Sequence, residues 1–292
     1  MNFSRLQRAL FGTSRHDRDR NRAALSSLLS LAWVVEARDP YTGGHLWRVA
    51  RYSNLVARQA GLQQRDVASI TVGAFLHDLG KVAIPDAVLR KAGPLTDEEY
   101  SVIKTHPTIG TELLMRHPLG ELVADAVYEH HERPDGKGYP RRLHGDQISR
   151  KAGIVGICDA FDAMTSARPY RAPMQKQRAF SIIREGLGSQ FDAHFGSLFL
   201  QLEADDRLAH IVGHSDDGIP LRECLACGPT VVVRRETVES TVFCPVCRTG
   251  YNLTGASQPL TPSNIQATAE DLQPRPDGHV INAVLDAAQL LF

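Results

Sequence analysis

The sequence has no surplus of charge of either sign. Lysine and arginine number 33, aspartate and glutamate 33, for a formal net charge of zero. A nucleic-acid-coating surface has no general electrostatic basis in such a chain, so an anionic ligand must be met by a local pocket. Long apolar runs are absent as well. The richest, Leu25 to Val35, is interrupted by serines and falls short of the roughly 18–20 apolar residues a membrane span requires. The N-terminal stretch MNFSRLQRALFGTSRHDRDR has no signal-peptide core or cleavage pattern, which makes a cytoplasmic protein the expectation. No internal repeat appears. Cysteine is scarce, and four of the five cysteines form two Cys-x-x-Cys pairs, a usage that favours zinc over disulfides inside a cell.

What is present is a globular composition, 42% hydrophobic and 23% charged over 292 residues, enough for one sizeable core plus a small module. Residues 1–22 hold six arginines with Phe3, Leu6, Leu10 and Phe11 between them. They read as a solvated helical lead-in or as an amphipathic helix touching a membrane surface or a partner. From 23 to 203 apolar residues recur at helical spacing, in 45–60, 65–79, 97–115, 119–131, 150–164 and 176–187. Thr96 with Glu99 spells a capping box, and Ser149 precedes another apolar run as a helix cap. No strand alternation appears in this stretch, so a mostly α fold, a helical bundle, is predicted. After residue 205 the texture changes. IVGHSDDGIPL, PTVVVRR and STVFC are short β-prone pieces around the paired cysteines, placing a small β module at 207–254. Residues 255–278, rich in Ser, Thr, Pro, Gln and Asp, read as a flexible linker. The end, 279–292, reads as a short amphipathic tail helix that packs on its own domain or docks a partner.

The chemistry-bearing residues stand out next. His77 and Asp78 are adjacent in FLHDLGK, and His45, His106, the pair His130–His131 and Asp159 follow at wide intervals. A carboxylate accepts two cations readily, so an adjacent imidazole and carboxylate can hold one metal and bridge to a second. In a helical bundle, residues far apart in sequence can project into one central site. Imidazole and carboxylate without thiolate suit iron, manganese or zinc. Any one histidine alone is more often an ordinary core or surface residue, and His16, His117, His144, His194, His210, His214 and His279 are placed in that class. Asp159 alone would serve equally as an arginine's partner. Five histidines and two aspartates together at helix-compatible positions defeat that reading.

The strings HDLGK (77–81), HHERPDGKGYP (130–140) and DAFDAMTSARPYR (159–171), with RDPYTGGH (38–45) and LTDEEYSVIKTHPTIG (95–110), resemble the signature set of HD-GYP domains over residues 23–203. The resemblance implies an HD-superfamily helical bundle with two or three divalent metals, iron or manganese, and hydrolysis of cyclic di-GMP to pGpG or GMP in bacterial second-messenger signalling. It implies His45, His77, Asp78, His106, His130, His131 and Asp159 as metal ligands, Asp78 bridging. Gly138, Tyr139 and Pro140 would line the pocket, Arg168 and Arg171 would hold substrate phosphate, and Lys81 would lie beside the reacting phosphate. Asp162, one helical turn beyond Asp159, is suited to orient Lys81 or a ligand. Members with three metals place a glutamate four residues before the first histidine. Tyr41 stands there in this chain, which favours two metals, with Glu36 and Asp39 as candidates to compensate.

Cys224-x-x-Cys227 and Cys244-x-x-Cys247, separated by sixteen residues, fit a tetrahedral structural zinc and resemble a rubredoxin-like zinc ribbon. Arg222, Arg234, Arg235 and Arg248 are offset by Glu223, Glu236 and Glu239, so nucleic-acid binding has little support there. Cys158 reads as buried packing. Three rival readings remain: a catalytically silent cyclic di-GMP sensor or adaptor signalling to a protein partner through the ribbon or tail helix, an HD hydrolase of another cyclic dinucleotide or a linear nucleotide, and a scaffold. The sensor reading expects lost ligands, and the ligand set is whole.

Overall fold

The computed structural model describes residues 14–39, 43–91, 93–167, 171–255 and 258–292. A long first helix, α1 (Arg15–Glu36), is started by Ser14, whose hydroxyl accepts the Asp17 N–H. It therefore runs straight through position 22, where the composition suggested a boundary between lead-in and domain. Leu25, Leu29 and Trp33 form its buried stripe, at helical spacing. Next come α2 (His45–Gln59), amphipathic with Arg51, Asn54 and Arg58 among its apolar residues, and α3 (Gln64–Leu76), buried throughout from Val67 to Leu76; together they form the centre of the bundle. A 3-10 turn (Leu79–Ala83) and the short α4 (Asp86–Leu89) lead to α5 (Asp97–Ile103) and α6 (His106–Leu114). The capping box of Thr96 and Glu99 starts α5 as predicted.

The periodicity predicts one helix over 97–115, and the structure breaks it. Lys104 and Thr105 form a turn, and Pro107, without an N–H, sits in the first turn of α6 where none is needed. The break lets His106 turn inward as the first residue of α6. Then follow α7 (Gly120–Glu129), a loop through the 3-10 turn Gly145–Gln147, α8 (Arg150–Thr165), α9 (Lys176–Glu185) and α10 (Ala193–Ala204). Ser149 caps α8 by accepting the Ala152 N–H at 3.1 Å.

The β-prone segments form three small antiparallel pieces. β1 (His214–Asp216) pairs with β2 (Ile219–Pro220), and β3 (Arg222–Cys224) with β4 (Gly228–Val231). β5 (Thr241–Phe243), β6 (Thr249–Asn252) and β7 (Thr261–Gln266) make a three-stranded sheet in that order. β7 corrects an expectation, because it lies inside the stretch 255–278 predicted to be a flexible linker. Its side chains are almost all exposed, so composition reports solvent there, while backbone bonds to β6 supply the order. Pro262 is tolerated because β7 is an edge strand.

The tail forms α11 (Gly278–Ala287) and a 3-10 turn (Gln289–Leu291). Val280, Ile281, Val284, Leu285 and Leu291 are buried in the same core as Leu25, Leu29 and Phe75. Of the two readings of the tail, packing on its own domain is the one the structure shows, and Arg22 of α1 pairs with Asp286 at 3.0 Å. Among the described residues no helix is long and apolar enough to cross a membrane.

Candidate metal centre

The predicted ligands sit at helix ends and on one central helix. His45 is the first residue of α2, His77 and Asp78 follow α3, His106 opens α6, His130 and His131 follow α7, and Asp159 lies within α8. Helix ends are where a side chain can turn across the bundle axis instead of lying along a face. His77, His106 and His130 share one local device: the ring Nδ1 lies 2.7–2.8 Å from the backbone carbonyl three residues earlier, Ala74, Ile103 and Val127 respectively. A carbonyl only accepts, so each Nδ1 donates and each Nε2 keeps a bare lone pair aimed inward. His45 has the same arrangement with a carboxylate in place of the carbonyl, its Nδ1 lying 2.8 Å from Asp162 Oδ2.

Seven donors converge. Asp78 Oδ2 is 3.3 Å from His77 Nε2 and 3.7 Å from His45 Nε2, and its other oxygen is 3.4 Å from His106 Nε2. Asp159 Oδ1 is 3.5 Å from His45 Nε2 and 3.8 Å from His77 Nε2. Two ligand-type clusters stand side by side, His45–His77–Asp78 and His106–His130–His131. The spacings are long for hydrogen bonds, while donors about 2.1 Å from a shared cation lie roughly 3.0–3.4 Å apart.

Two features mark the centre as built for cations. His77 Nε2 is buried and has no hydrogen-bond partner. His106 Nε2 and His130 Nε2 face each other at 3.3 Å, and since both Nδ1 atoms carry the proton, two lone pairs point at one another. That approach is unfavourable unless a positive charge lies between them. Protons do not supply it: burial drives His106 down to about 3 and His131 to about 4, and lowers His130 as well. Burial would also lower His45, but its bonds to Asp162 and Asp78 outweigh that and raise it to about 9. The carboxylates thus draw a proton onto His45, where a cation would serve. For Asp78 burial is likewise outweighed, by Lys81 and His77, which hold the carboxyl well below its usual range.

Against known proteins, the HD domain family matches residues 30–195. This chain belongs to the HD domain family. Its motif set is of the HD-GYP type, and an HD domain implies binding of divalent metal. The cyclic di-GMP phosphodiesterase response regulator RpfG of Xanthomonas campestris is 41% identical over 192 residues, 64% of this chain and 49% of that protein. A cyclic di-GMP phosphodiesterase of Thermotoga maritima is 41% identical over 177 residues, 60% of this chain and 48% of its own. The 3'3'-cGAMP-specific phosphodiesterase 3 of Vibrio cholerae is 38% identical over 159 residues, 54% and 35% of the two chains. The chain thus spans about half or less of the length of these relatives.

Beside the HD-domain centre lies a pocket of about 480 Å³ lined by Asp78, Lys81, His106, His130, His131 and Asp159, and by Gly138 and Tyr139 of the GYP loop. Tyr139 stacks on His131, ring centres 4.7 Å apart. Lys81 Nζ is 2.6 Å from Asp78 Oδ2, so Asp78 is its partner and Asp162 is not. Of the two roles expected for Asp162, orienting a ligand is the one seen, at His45. Pro140 and Arg171 are not on the pocket wall. The Arg171 guanidinium donates to the Ala163 carbonyl at 2.6 Å, at the exposed end of α8, and is used there as a backbone anchor. Arg168 and Tyr41 lie outside the described residues. Glu36, a candidate to replace the missing glutamate, accepts the Leu46 N–H at 3.1 Å. It caps the start of α2, and burial raises it to about 7.

Several residues escaped the sequence reading. Arg48 is 1% exposed and forks onto Asp162, with Nε to Oδ1 at 2.6 Å and Nη2 to Oδ2 at 2.9 Å. Its spacing from His45, one turn along α2, is the only signal. Glu132 accepts the N–H groups of Arg141 (2.5 Å) and Leu143 (2.9 Å), and Glu129 accepts the Ser149 N–H and the Arg141 side chain. These two carboxylates hold the GYP loop against α7. Arg133, Lys137 and Tyr100 also line the pocket.

The second cluster, Cys224, Cys227, Cys244 and Cys247, gathers as the spacing predicts, its sulfurs all within 4.8 Å. None of them is in a disulfide, and Cys224 and Cys247 stand 3.5 Å apart. Four sulfurs about 2.3 Å from one cation lie about 3.8 Å from each other in a tetrahedron, so the set fits a thiophilic metal. Tyr251 donates its hydroxyl to Cys224 at 3.1 Å. Cys158 is fully buried, and burial raises its thiol to about 12.

Proposed function

We propose that the chain is a metal-dependent phosphodiesterase that hydrolyses cyclic di-GMP to pGpG, GMP or both in second-messenger signalling. The observation that carries this reading is the inward set of lone pairs, above all His106 Nε2 facing His130 Nε2, beside an open pocket with Lys81 on its wall. Relatives at about 40% identity named as cyclic di-GMP phosphodiesterases support the substrate. His45, His77, Asp78, His106, His130, His131 and Asp159 would hold two divalent cations, iron or manganese by their mixed nitrogen and oxygen character. Cations there supply Lewis acidity and a water acidic enough to lose its proton near neutral pH. Lys81 places its ammonium beside the phosphate, where negative charge builds during in-line attack. Tyr139 and Gly138 shape the wall against which the nucleotide rests. The helical bundle would be the catalytic unit, and the four-cysteine β module, continued by β7, a ribbon with one structural zinc.

A second substrate reading has a specific basis, since a relative of similar identity is named for 3'3'-cGAMP. The test loads the protein with iron under anaerobic conditions, or with manganese, and separates the products of cyclic di-GMP and of 3'3'-cGAMP chromatographically. Faster turnover of cyclic di-GMP is expected, and Asp78→Ala should lose at least about 10³-fold. Binding without turnover by the loaded protein, or an Asp78→Ala variant as active as the parent, overturns the assignment.

A further inference from the structure

The cysteine module leans directly on the turn that aims His45. A methyl group at Gly43 would lie 2.7 Å from Val232 Cγ2, and one at Gly44 would lie 2.5 Å from the Ser215 Cα. Gly44 also has φ +73, so only glycine fits the turn and the β-chain can press against it. One turn into α2, the Arg48 Nη1 donates to the Gly43 carbonyl at 2.7 Å and to the His214 carbonyl of β1 at 2.8 Å. The same guanidinium forks onto Asp162, which in turn receives the His45 Nδ1–H. A continuous line of hydrogen bonds, part-buried at β1 and fully buried at Asp162, therefore runs from the β1 backbone to the first ring of the HD centre.

The Gly43 end of the turn also touches residues next to β3 and β4, the strands beside the cysteines. Val232 follows β4, in which Val231 packs with Cys224, Cys244 and Tyr251, and Thr230 Oγ1 lies 3.4 Å from Cys244 Sγ. Leu221, also facing Gly43, precedes β3, which ends in Cys224. The module's own buried core is Cys224, Val231, Val242, Cys244 and Tyr251. Two of these five are the cysteines, so little apolar area remains to hold the fold without a cation.

We propose that the four-cysteine module is a structural arm of the HD metal centre. With its own cation bound, it fixes the Gly43–Gly44 turn and Arg48, and through Asp162 the His45 ring, so cation affinity at the His/Asp centre depends on occupancy of the cysteine site. Without that order, Arg48 loses the His214 carbonyl while remaining buried, and its fork on Asp162 shifts. Coupling of this kind is reciprocal, so filling the His/Asp centre tightens the cysteine site by the same factor. The inference rests on the metal-binding part of the reading above and is independent of the nucleotide.

The test uses the full chain and two variants, Cys244→Ser and Arg48→Lys. Manganese is titrated and free Mn2+ is read by electron paramagnetic resonance, with zinc content measured on the same samples. Cys244→Ser should lose zinc and bind manganese about 10–100-fold more weakly, the usual effect of disturbing a ligand's supporting partner. Arg48→Lys keeps the charge but cannot reach Asp162 and His214 together. It should keep zinc and its helical circular dichroism yet show the same weakening. Manganese affinity equal to the parent's in a zinc-free Cys244→Ser, or in Arg48→Lys, overturns the coupling. A parent chain that binds no manganese overturns instead the metal-centre reading on which the coupling stands.

Discussion

Asp162→Asn isolates one buried charge. The carboxylate and Arg48 are each 1% exposed, and the pair is joined by two short bonds in addition to the one from His45. Burial alone would push the Asp162 carboxyl up, but Arg48 and His45 outweigh it and hold the group well below its usual range. Asparagine keeps the shape and loses the charge, and its amide N–H₂ must face either the His45 N–H or an Arg48 N–H. Breaking a buried ion pair from one side costs about 3–5 kcal/mol, because the remaining charge is left without a partner. At about 2–4 °C per kcal/mol for a domain of roughly this size, the melting temperature should fall by roughly 6–20 °C. Thermal unfolding followed by circular dichroism at pH 7, with chelator in both samples, removes metal loss as the cause. A double variant, Arg48→Met with Asp162→Leu, removes both charges and should regain more than half of the loss. A fall smaller than about 3 °C, or no recovery in the double variant, would refute the assignment of the loss to a stranded guanidinium.

With metal removed, the histidines of the His/Asp centre and Glu36 should together contribute the most stability near pH 6.5. Between pH 4.5 and 6.5 the unfolded chain protonates His45, His106, His130 and His131, whereas the folded chain holds protons on His45 and Glu36. The unfolded chain thus binds more protons than the folded one, so stability falls with acidification through this window. Above 6.5 the sign reverses, because His45 and Glu36 hold protons that the unfolded chain has released, and this contribution is lost as pH passes about 7 and then about 9. A melting temperature that rises steadily from pH 5 to 9 in chelator contradicts this balance. Glu132→Gln replaces one of two acceptors for the Arg141 and Leu143 N–H groups, a charged-bond loss of about 1.5–3 kcal/mol. It should raise amide exchange across 133–148 by about 10-fold or more, and unchanged exchange there shows the loop to be held by other means. Gly80→Ala drives a methyl into the His106 carbonyl and should cost about 3 kcal/mol. A melting temperature within a degree of the parent's would show that the α6 start can yield.

The candidate ligand set was legible along the chain because metal chemistry restricts residue type. His77–Asp78, His130–His131 and Asp159 are conspicuous as letters, and the cysteine spacing is diagnostic for the same reason. The mostly α bundle followed the apolar period, and the helix starts at Thr96 and Ser149 were readable from local capping chemistry. Charged residues gave no such hint. Arg48 on α2 and Arg171 beyond α8 look alike in sequence, each a cation near an aspartate-bearing motif. One is sealed in the centre of the bundle, while the other spends its guanidinium on an exposed carbonyl. Glu36 reads as a candidate to complete the metal set, and Glu132 carries no signal, until the folded chain sets a helix start and a loop against them.

Local residue chemistry, then, settled which atoms are able to bind a cation and where helices begin. Tertiary packing alone settled which lone pairs face one another, that an unremarkable arginine ties Asp162 to the β1 backbone, and that the tail and β7 belong to the body of the protein. The physical reason is range. Periodicity and capping act within one or two helical turns, whereas the partner of a buried charge is chosen by whichever distant segment the core brings alongside it.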